Sequence, residues 1–341
     1  MIERHAGRLP LLDGLRGLAA IGVVLFHADL GRLTVAFSRG YLFVDLFFLL
    51  SGFVLTLAFE GQFGHDLPMA TFIRRRMVRF APMLAAGGLI GLFAIVQKGQ
   101  PVFASTSAFA LSVVMLPLPM LASPFPLNPP QWSLLLELVG NAVHARWLYR
   151  MPERALLLLA ATCAIGMGVA IAHFGHGDLG ARLDEIPAGL LRLSWSYTLG
   201  ILLARHWQTG STGRTADWRL ALLAPVAVVL AVSFVPLPRW MGDLAIVTCL
   251  FPPLFWIAAT AVPSKRAERT LTALGTISFP LYAVHYPILR IADTLGGNEA
   301  ARTYGVVAAL AVAALLGVAQ SHAAAVRRKF RLAAPVALAD A

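Results

Sequence analysis

Charge is scarce in this sequence. Only 13% of its 341 residues are charged, against the quarter or so usual in soluble domains, and mean hydropathy is +0.73. That excludes an independent soluble domain and leaves a polytopic membrane protein. Cysteine is almost missing too. Cys163 and Cys249 each lie in an apolar run, outside any redox or metal-binding spacing, and read as inert packing thiols. No glycine-rich nucleotide loop and no Gly-x-Ser-x-Gly elbow is present, which removes those routes to catalysis. No internal repeat or low-complexity tract divides the chain, so 1–341 reads as one domain.

Acidic residues are few, 17 against 28 Lys plus Arg, for a net charge of +11. Nucleic acid is not the implied partner, because Lys and Arg collect in the cytoplasmic loops of membrane proteins. The N-terminus has the basic-then-apolar order of a signal peptide. However, Arg16 interrupts the run and no small-residue cleavage site follows, so it reads as a mature helix.

Apolar runs of membrane-crossing length predict ten spans: 10–28, 41–59, 80–97, 131–149, 155–173, 187–204, 219–235, 242–262, 275–293 and 303–321. The proline-rich stretch 104–121 reads as an interfacial or re-entrant piece. With ten spans and both termini cytoplasmic, 19 of the 28 basic residues fall inside and 6 outside.

Four stretches break the apolar background. In the first span, Asp13, Arg16 and His27 share a face; Arg16 and His27 are eleven residues apart, about three turns or 16 Å. Ionisable groups in lipid normally face protein or a wet cavity, so this span predicts the wall of a polar site. The second span carries Asp45, which needs a partner, and Ser51 and Gly52, which read as packing residues. After it, Arg76 and Arg79 share a helix face at the inner boundary, where forked guanidinium groups suit phosphate. Simple positive-inside anchoring explains them equally well.

In the fourth span, Ser133, Glu137, Asn141 and His144 form a polar stripe at spacings of four, four and three. Trp132 beside it fits either an interfacial belt or the rim of a cleft. In the ninth span, Ser278, Tyr282 and His285 share a face, and Pro280 and Pro287 interrupt the helix. Arg192 could meet a carboxylate or a sugar. His173, His176, Asp178, Asp184 and Glu185 match no metal spacing, and no metal is expected. The ten-span topology puts His27, Asp45, Glu137 and His285 in the outer half, with Arg76 and Arg79 at the inner surface.

In this order the segments LDGLRGLAAIGVVLFHA, GYLFVDLFFLLSGF, FIRRRMVRFAP, QWSLLLE and ISFPLYAVHYP resemble the acyltransferase-3 family of membrane O-acyltransferases. They run from residue 11 to about residue 287. The resemblance implies an all-α ten-helix bundle in the inner (cytoplasmic) membrane, with acyl-CoA, commonly acetyl-CoA, as co-substrate and no permanently bound cofactor. It also implies a glycan or glycolipid acceptor outside the cytoplasm, with polysaccharide-assembly proteins as partners. By that likeness His27 is the essential histidine, Arg76 and Arg79 contact the CoA phosphates, and Glu137 is a carboxylate near the site. Many members follow this glutamate with an aromatic pair; here Leu138, Val139, Gly140 and Asn141 follow. The extra hydrolase-like domain that some members carry is not seen before Ala341, which implies a single-component transferase or a separate partner chain.

The resulting expectation is acyl transfer to a hydroxyl with His27 as base and Glu137 or Asp45 orienting its ring. Arg16 would guide the donor. Trp132, Ser133, Asn141, Tyr282 and His285 would lie on the acceptor side. The competing reading is a transporter or proton-coupled channel, since polar stripes and broken helices also suit a solute path.

Overall fold

The computed structural model describes residues 9–118, 121, 123–210 and 216–333. Arg4, Arg8 and Arg214, expected on the inner side, lie outside the described residues, as do both chain ends on which the cytoplasmic placement of the termini rests.

The described residues are helical, joined by loops and short turns. The helices are α1 (Pro10–Ala28), α2 (Arg32–Ala36), α3 (Phe43–Phe59), α4 (Met69–Val96), α5 (Val102–Val113), α6 (Gln131–Arg146) and α7 (Glu153–Phe174). They continue with α8 (Ile186–Gln208), α9 (Trp218–Ser233), α10 (Arg239–Ala245), α11 (Phe251–Thr260), α12 (Lys265–Leu295) and α13 (Glu299–Ala333). Among the described residues, seven helical segments are long and apolar enough to cross a membrane: Pro10–Ala28, Gly40–Gln62, Met69–Val96, Glu153–Phe174, Leu183–Gln208, Arg239–Thr260 and Glu299–Ala323. The other three expected spans fall on α6, α9 and α12. The first two have only 16 residues each, and α12 begins with the charged sequence Lys265, Arg266, Glu268 and Arg269. The stretch read as re-entrant forms α5, whose 12 residues rise about 18 Å, well short of the roughly 30 Å hydrocarbon core.

α12 is the hub of one side, packing along α1, α4 and α13; α3 and α7 both pack on α8. The α3–α8 crossing is close because two glycines meet there. A Cβ on Gly52 would stand 2.1 Å from the Tyr197 carbonyl oxygen, and one on Gly200 would stand 2.3 Å from that of Leu49. Gly52 is therefore the packing residue it was read to be, while Ser51 turns elsewhere.

Prolines account for two irregularities. Pro252 and Pro253 lack the N–H groups that the Thr248 and Cys249 carbonyls would receive, and the chain widens to a π turn at Ile246–Leu250 between α10 and α11. Pro287 likewise deprives the Ala283 carbonyl of its helical donor. Asn128, in the loop before α6, replaces it, its side-chain amide donating to Ala283 O at 2.9 Å. This is how broken backbone is tolerated inside a bundle: a neighbouring segment satisfies the freed group.

Asn128→Ala leaves that buried carbonyl unsatisfied, at a cost of about 1–3 kcal/mol. The expected outcome is a lower melting temperature of the detergent-solubilised protein.

Candidate active site

A cavity of about 430 Å³ runs between α1, α3, α4, α6 and α12. One end is cationic. Arg76 and Arg79 come from the early turns of α4, Arg16 and Asp13 from the start of α1. The rest of the lining is apolar, built largely from α3 with Leu50, Val54 and Leu55. The far end carries Ser133 and Tyr282 beside Phe47. Part of each polar stripe on α1, α4, α6 and α12 thus reaches one chamber, because each helix turns its few hydrogen-bonding side chains away from the apolar surroundings.

At the cationic end Arg76 donates from Nη2 to Glu137 Oε1 at 2.7 Å, and the same oxygen accepts from Ser51 Oγ at 2.9 Å. Asn141 is fully buried, and its amide is satisfied on both sides when the oxygen faces Arg76 Nε (3.1 Å) and the nitrogen faces Tyr197 OH (3.1 Å). Arg76 also lies over the Phe80 ring, 4.8 Å from its centroid. Arg16 donates to Ser278 Oγ (2.9 Å), to the Gly275 carbonyl (3.0 Å) and to Asp13 Oδ1 (3.3 Å). Arg79 is exposed, lines the cavity, and makes no hydrogen bond or ion pair among the described residues.

At the far end the Tyr282 and Ser133 hydroxyls meet at 2.6 Å, and each is also within hydrogen-bonding distance of the Pro130 carbonyl, at 3.1 Å. The Tyr282 ring stands 5.6 Å from Phe47 on the cavity side and 5.7 Å from His285 behind it. His285 is fully buried and its Nε2 lies 3.3 Å from His27 Nδ1. His27 is partly buried, with its ring also against Phe26 and Tyr286. Neither histidine lines the cavity; the pair sits behind Tyr282, which does.

Six expectations need correction. Asn141 and His285 are not at the acceptor end: Asn141 is buried against Arg76 at the cationic end, and His285 stands behind Tyr282. Neither Glu137 nor Asp45 orients His27. Glu137 is held by Arg76 and Ser51, and Asp45 is fully buried in a two-pronged pair with Arg192 (Nη2 to Oδ2 2.6 Å, Nε to Oδ1 3.2 Å). Each carboxylate answers the nearest guanidinium rather than an imidazole. The depth argument fails with them: α4 begins at Met69, eleven residues before the expected span, so Arg76 enters the bundle far enough to touch Glu137. Trp132 is neither belt nor cleft rim. It is buried against Phe48 and Gly180, under Arg192, and does not line the cavity. Ser51, read as packing, faces the cavity and bonds Glu137.

The open question of Arg192 resolves to a carboxylate. It also donates to the carbonyls of Leu179 and Tyr41, tying α8 to α3 and to the loop after α7. In that loop, burial pushes the Asp178 carboxyl above its ordinary pKa, against the pull of Arg192. Tyr197 escaped the sequence reading. A tyrosine midway along an apolar helix was the available signal, and it is fully buried between Asn141 and His144 (3.1 Å to His144 Nδ1).

Taken together, the chamber holds cations at one end and hydroxyls at the other, with the paired imidazoles behind Tyr282. The family model described as an acyltransferase domain matches residues 9–320. The chain belongs to this family, acyltransferase-3, and is an acyltransferase; its apolar helices make it a multi-pass membrane protein. It is similar to acyltransferase MdmB of Streptomyces mycarofaciens, 29% identical over 92% of this chain and 88% of that one. Protein 2 in the picA locus of Rhizobium radiobacter is 36% identical over 51% of this chain and all of its own length. O-acetyltransferase OatA of Staphylococcus aureus is 24% identical over 82% of this chain and half of its own length. No solved structure matches the chain.

The correction to Asp45 is testable. Arg192→Met strands a buried carboxylate, and breaking such a pair from one side costs about 3–5 kcal/mol. The single variant is expected to melt well below the parent, and the double variant Arg192→Met with Asp45→Asn to recover most of the loss in the same thermal scan.

Proposed function

We propose that this acyltransferase moves an acyl group, acetyl being the simplest, from cytoplasmic acyl-CoA to a hydroxyl of an extracytoplasmic or lipid-linked glycan. In this reading it sits in the inner membrane with ten spans and both termini cytoplasmic. Proteins of a polysaccharide-assembly system are its expected partners. The observation that carries the reading is the polarity of the chamber. Acyl-CoA is anionic at one end, elongated and only moderately polar in the middle, and reactive at a thioester at the other. The chamber offers guanidinium groups at one end, an apolar lining from α3, and hydroxyls at the other end with the imidazoles behind them. That OatA is an O-acetyltransferase supports the choice of acetyl and of an oxygen acceptor.

The phosphates dock at Arg79 and Arg76. Arg79 has no competing hydrogen bond among the described residues and receives them first. Arg16 steers the arm past the apolar face of α3. The thioester ends beside Tyr282, whose hydroxyl donates to the carbonyl oxygen as charge develops there. Tyr282 gives up its bonds to Ser133 and Pro130 to do so, which also opens the wall in front of His27. A ring nitrogen of His27 takes the proton of the acceptor hydroxyl as that oxygen attacks the carbonyl carbon. The carbon–sulfur bond breaks, and the imidazolium returns its proton to the departing thiolate. The products are an ester and free CoA.

Two variants separate the roles. His27→Ala is expected to remain folded in the membrane yet lose essentially all transfer, since a positioned base contributes about 10²–10⁴-fold. Arg79→Ala is expected to raise the KM for acyl-CoA with little change in kcat. The assay supplies labelled acetyl-CoA to inverted membrane vesicles and measures label on polysaccharide. Solute flux without labelled product in the parent would favour a transporter, and normal labelling by His27→Ala would reject the mechanism.

A further inference from the structure

We propose that His285 is the positioning residue for His27, fixing its tautomer so that Nε2 is the nitrogen that acts as base; this rests on the acyl-transfer reading above. The hydrogen bonds assign the protons. His285 Nδ1 lies 2.9 Å from the Tyr282 carbonyl and 3.2 Å from that of Leu281. A carbonyl oxygen only accepts, so His285 carries its proton on Nδ1 and presents a lone pair on Nε2. That lone pair faces His27 Nδ1 at 3.3 Å. His27 Nδ1 also lies 2.9 Å from the Val23 carbonyl, so its proton sits between two acceptors. A neutral imidazole protonated on Nδ1 has its free lone pair on Nε2. The assignment follows from three backbone carbonyl groups and one ring, with no carboxylate involved.

Position follows from the same contacts. His285 is completely buried on a helix packed along α1, so its Nε2 is a fixed point. Tyr286, on the same turn, stands edge-on to the His27 ring at 5.3 Å. When His27 becomes imidazolium, its Nδ1–H donates more strongly to both acceptors, which steadies the charge without a buried anion nearby. Among the described residues no carboxylate bonds either ring. His285 is thus not an acceptor-side residue: Tyr282 stands between it and the cavity.

The test compares His285→Phe, which fills the space but accepts no hydrogen bond, with His285→Gln, whose side-chain oxygen can accept from His27 Nδ1. Both are assayed in vesicles with labelled acetyl-CoA. The expected result is a fall in kcat of about tenfold to a hundredfold for the phenylalanine variant, part of what a positioned base supplies. The KM for acetyl-CoA should stay near that of the parent, and the glutamine variant should recover most of the rate. A kcat within twofold of the parent for His285→Phe, or equal losses in both variants, would overturn the assignment. Nitrogen-15 spectra of histidine-labelled parent protein in lipid discs give a reading that needs no variant to fold. His27 protonated on Nδ1 supports the proposal; His27 protonated on Nε2 defeats it. If the parent transfers no label, or His27→Ala transfers it normally, the acyl-transfer reading has failed instead.

Discussion

A guanidinium taken out of water needs a carboxylate beside it, and this bundle meets the need with pairs drawn from helices far apart in sequence. Arg192 of α8 holds Asp45 of α3. Arg39, in the loop before α3, holds Asp243 of α10, which also accepts from Tyr41 and the Gly177 backbone. Arg205 of α8 holds Glu60 at the end of α3. Each pair fixes the relative rotation of its helices, since losing one partner strands a buried charge. The Arg76–Glu137 pair follows the same rule but stands where the cavity is, with both side chains partly exposed. It is the neutral resting arrangement of a charge that an arriving anion could share. The Arg192–Asp45 and Arg39–Asp243 pairs have no such access.

This accounting explains what the sequence could and could not disclose. Spacing alone predicts which residues share a helix face, so the stripes on α1, α6 and α12 were legible, and the chamber lies where parts of those stripes meet. Which helix answers which is a tertiary fact. Asp45 plainly needed a partner, but Arg192 lies 147 positions away and was itself read as undecided between a carboxylate and a sugar. Carboxylates commonly orient catalytic histidines, so the pattern favoured Asp45 and Glu137 beside His27; both were already claimed by arginines. The depth error on α4 has a different origin. Hydropathy marks where a helix becomes apolar, not where it starts, and the basic turns ahead of Phe80 were counted as boundary rather than bundle. Trp132 was ambiguous because an amphipathic ring suits an interface, a cleft rim or, as here, close packing.

The prolines show a similar division. Their positions in α12 flagged a freed carbonyl near His285, although the helix runs unbroken from Lys265 to Leu295. The compensation came from outside the helix, through Asn128 of a loop whose proline-rich sequence carried no hint of the contact. Gly87 of α4 is the matching accommodation, since a Cβ there would stand 2.2 Å from the same Ala283 oxygen. The loop before α6, α4 and the middle of α12 therefore converge on one carbonyl, two residues before His285.

The neutral surroundings of the histidine pair follow from the constraint on charge. A carboxylate next to His27 would steady an imidazolium strongly, but it would also be a second buried ion when the ring is neutral. By the rule that governs Asp45, Asp243 and Glu137, it would then call for a guanidinium of its own. That guanidinium would compete with the imidazole for the carboxylate, so a third charged group would decide how the base is oriented. A neighbouring imidazole and a helix carbonyl avoid the difficulty. They accept the Nδ1 proton whether the ring is neutral or charged, and they leave no unpaired ion behind when the proton departs. For His27 in its proposed role, a base that gains and loses a proton in every turnover within an apolar bundle, an uncharged partner is the arrangement whose cost does not swing with the protonation state.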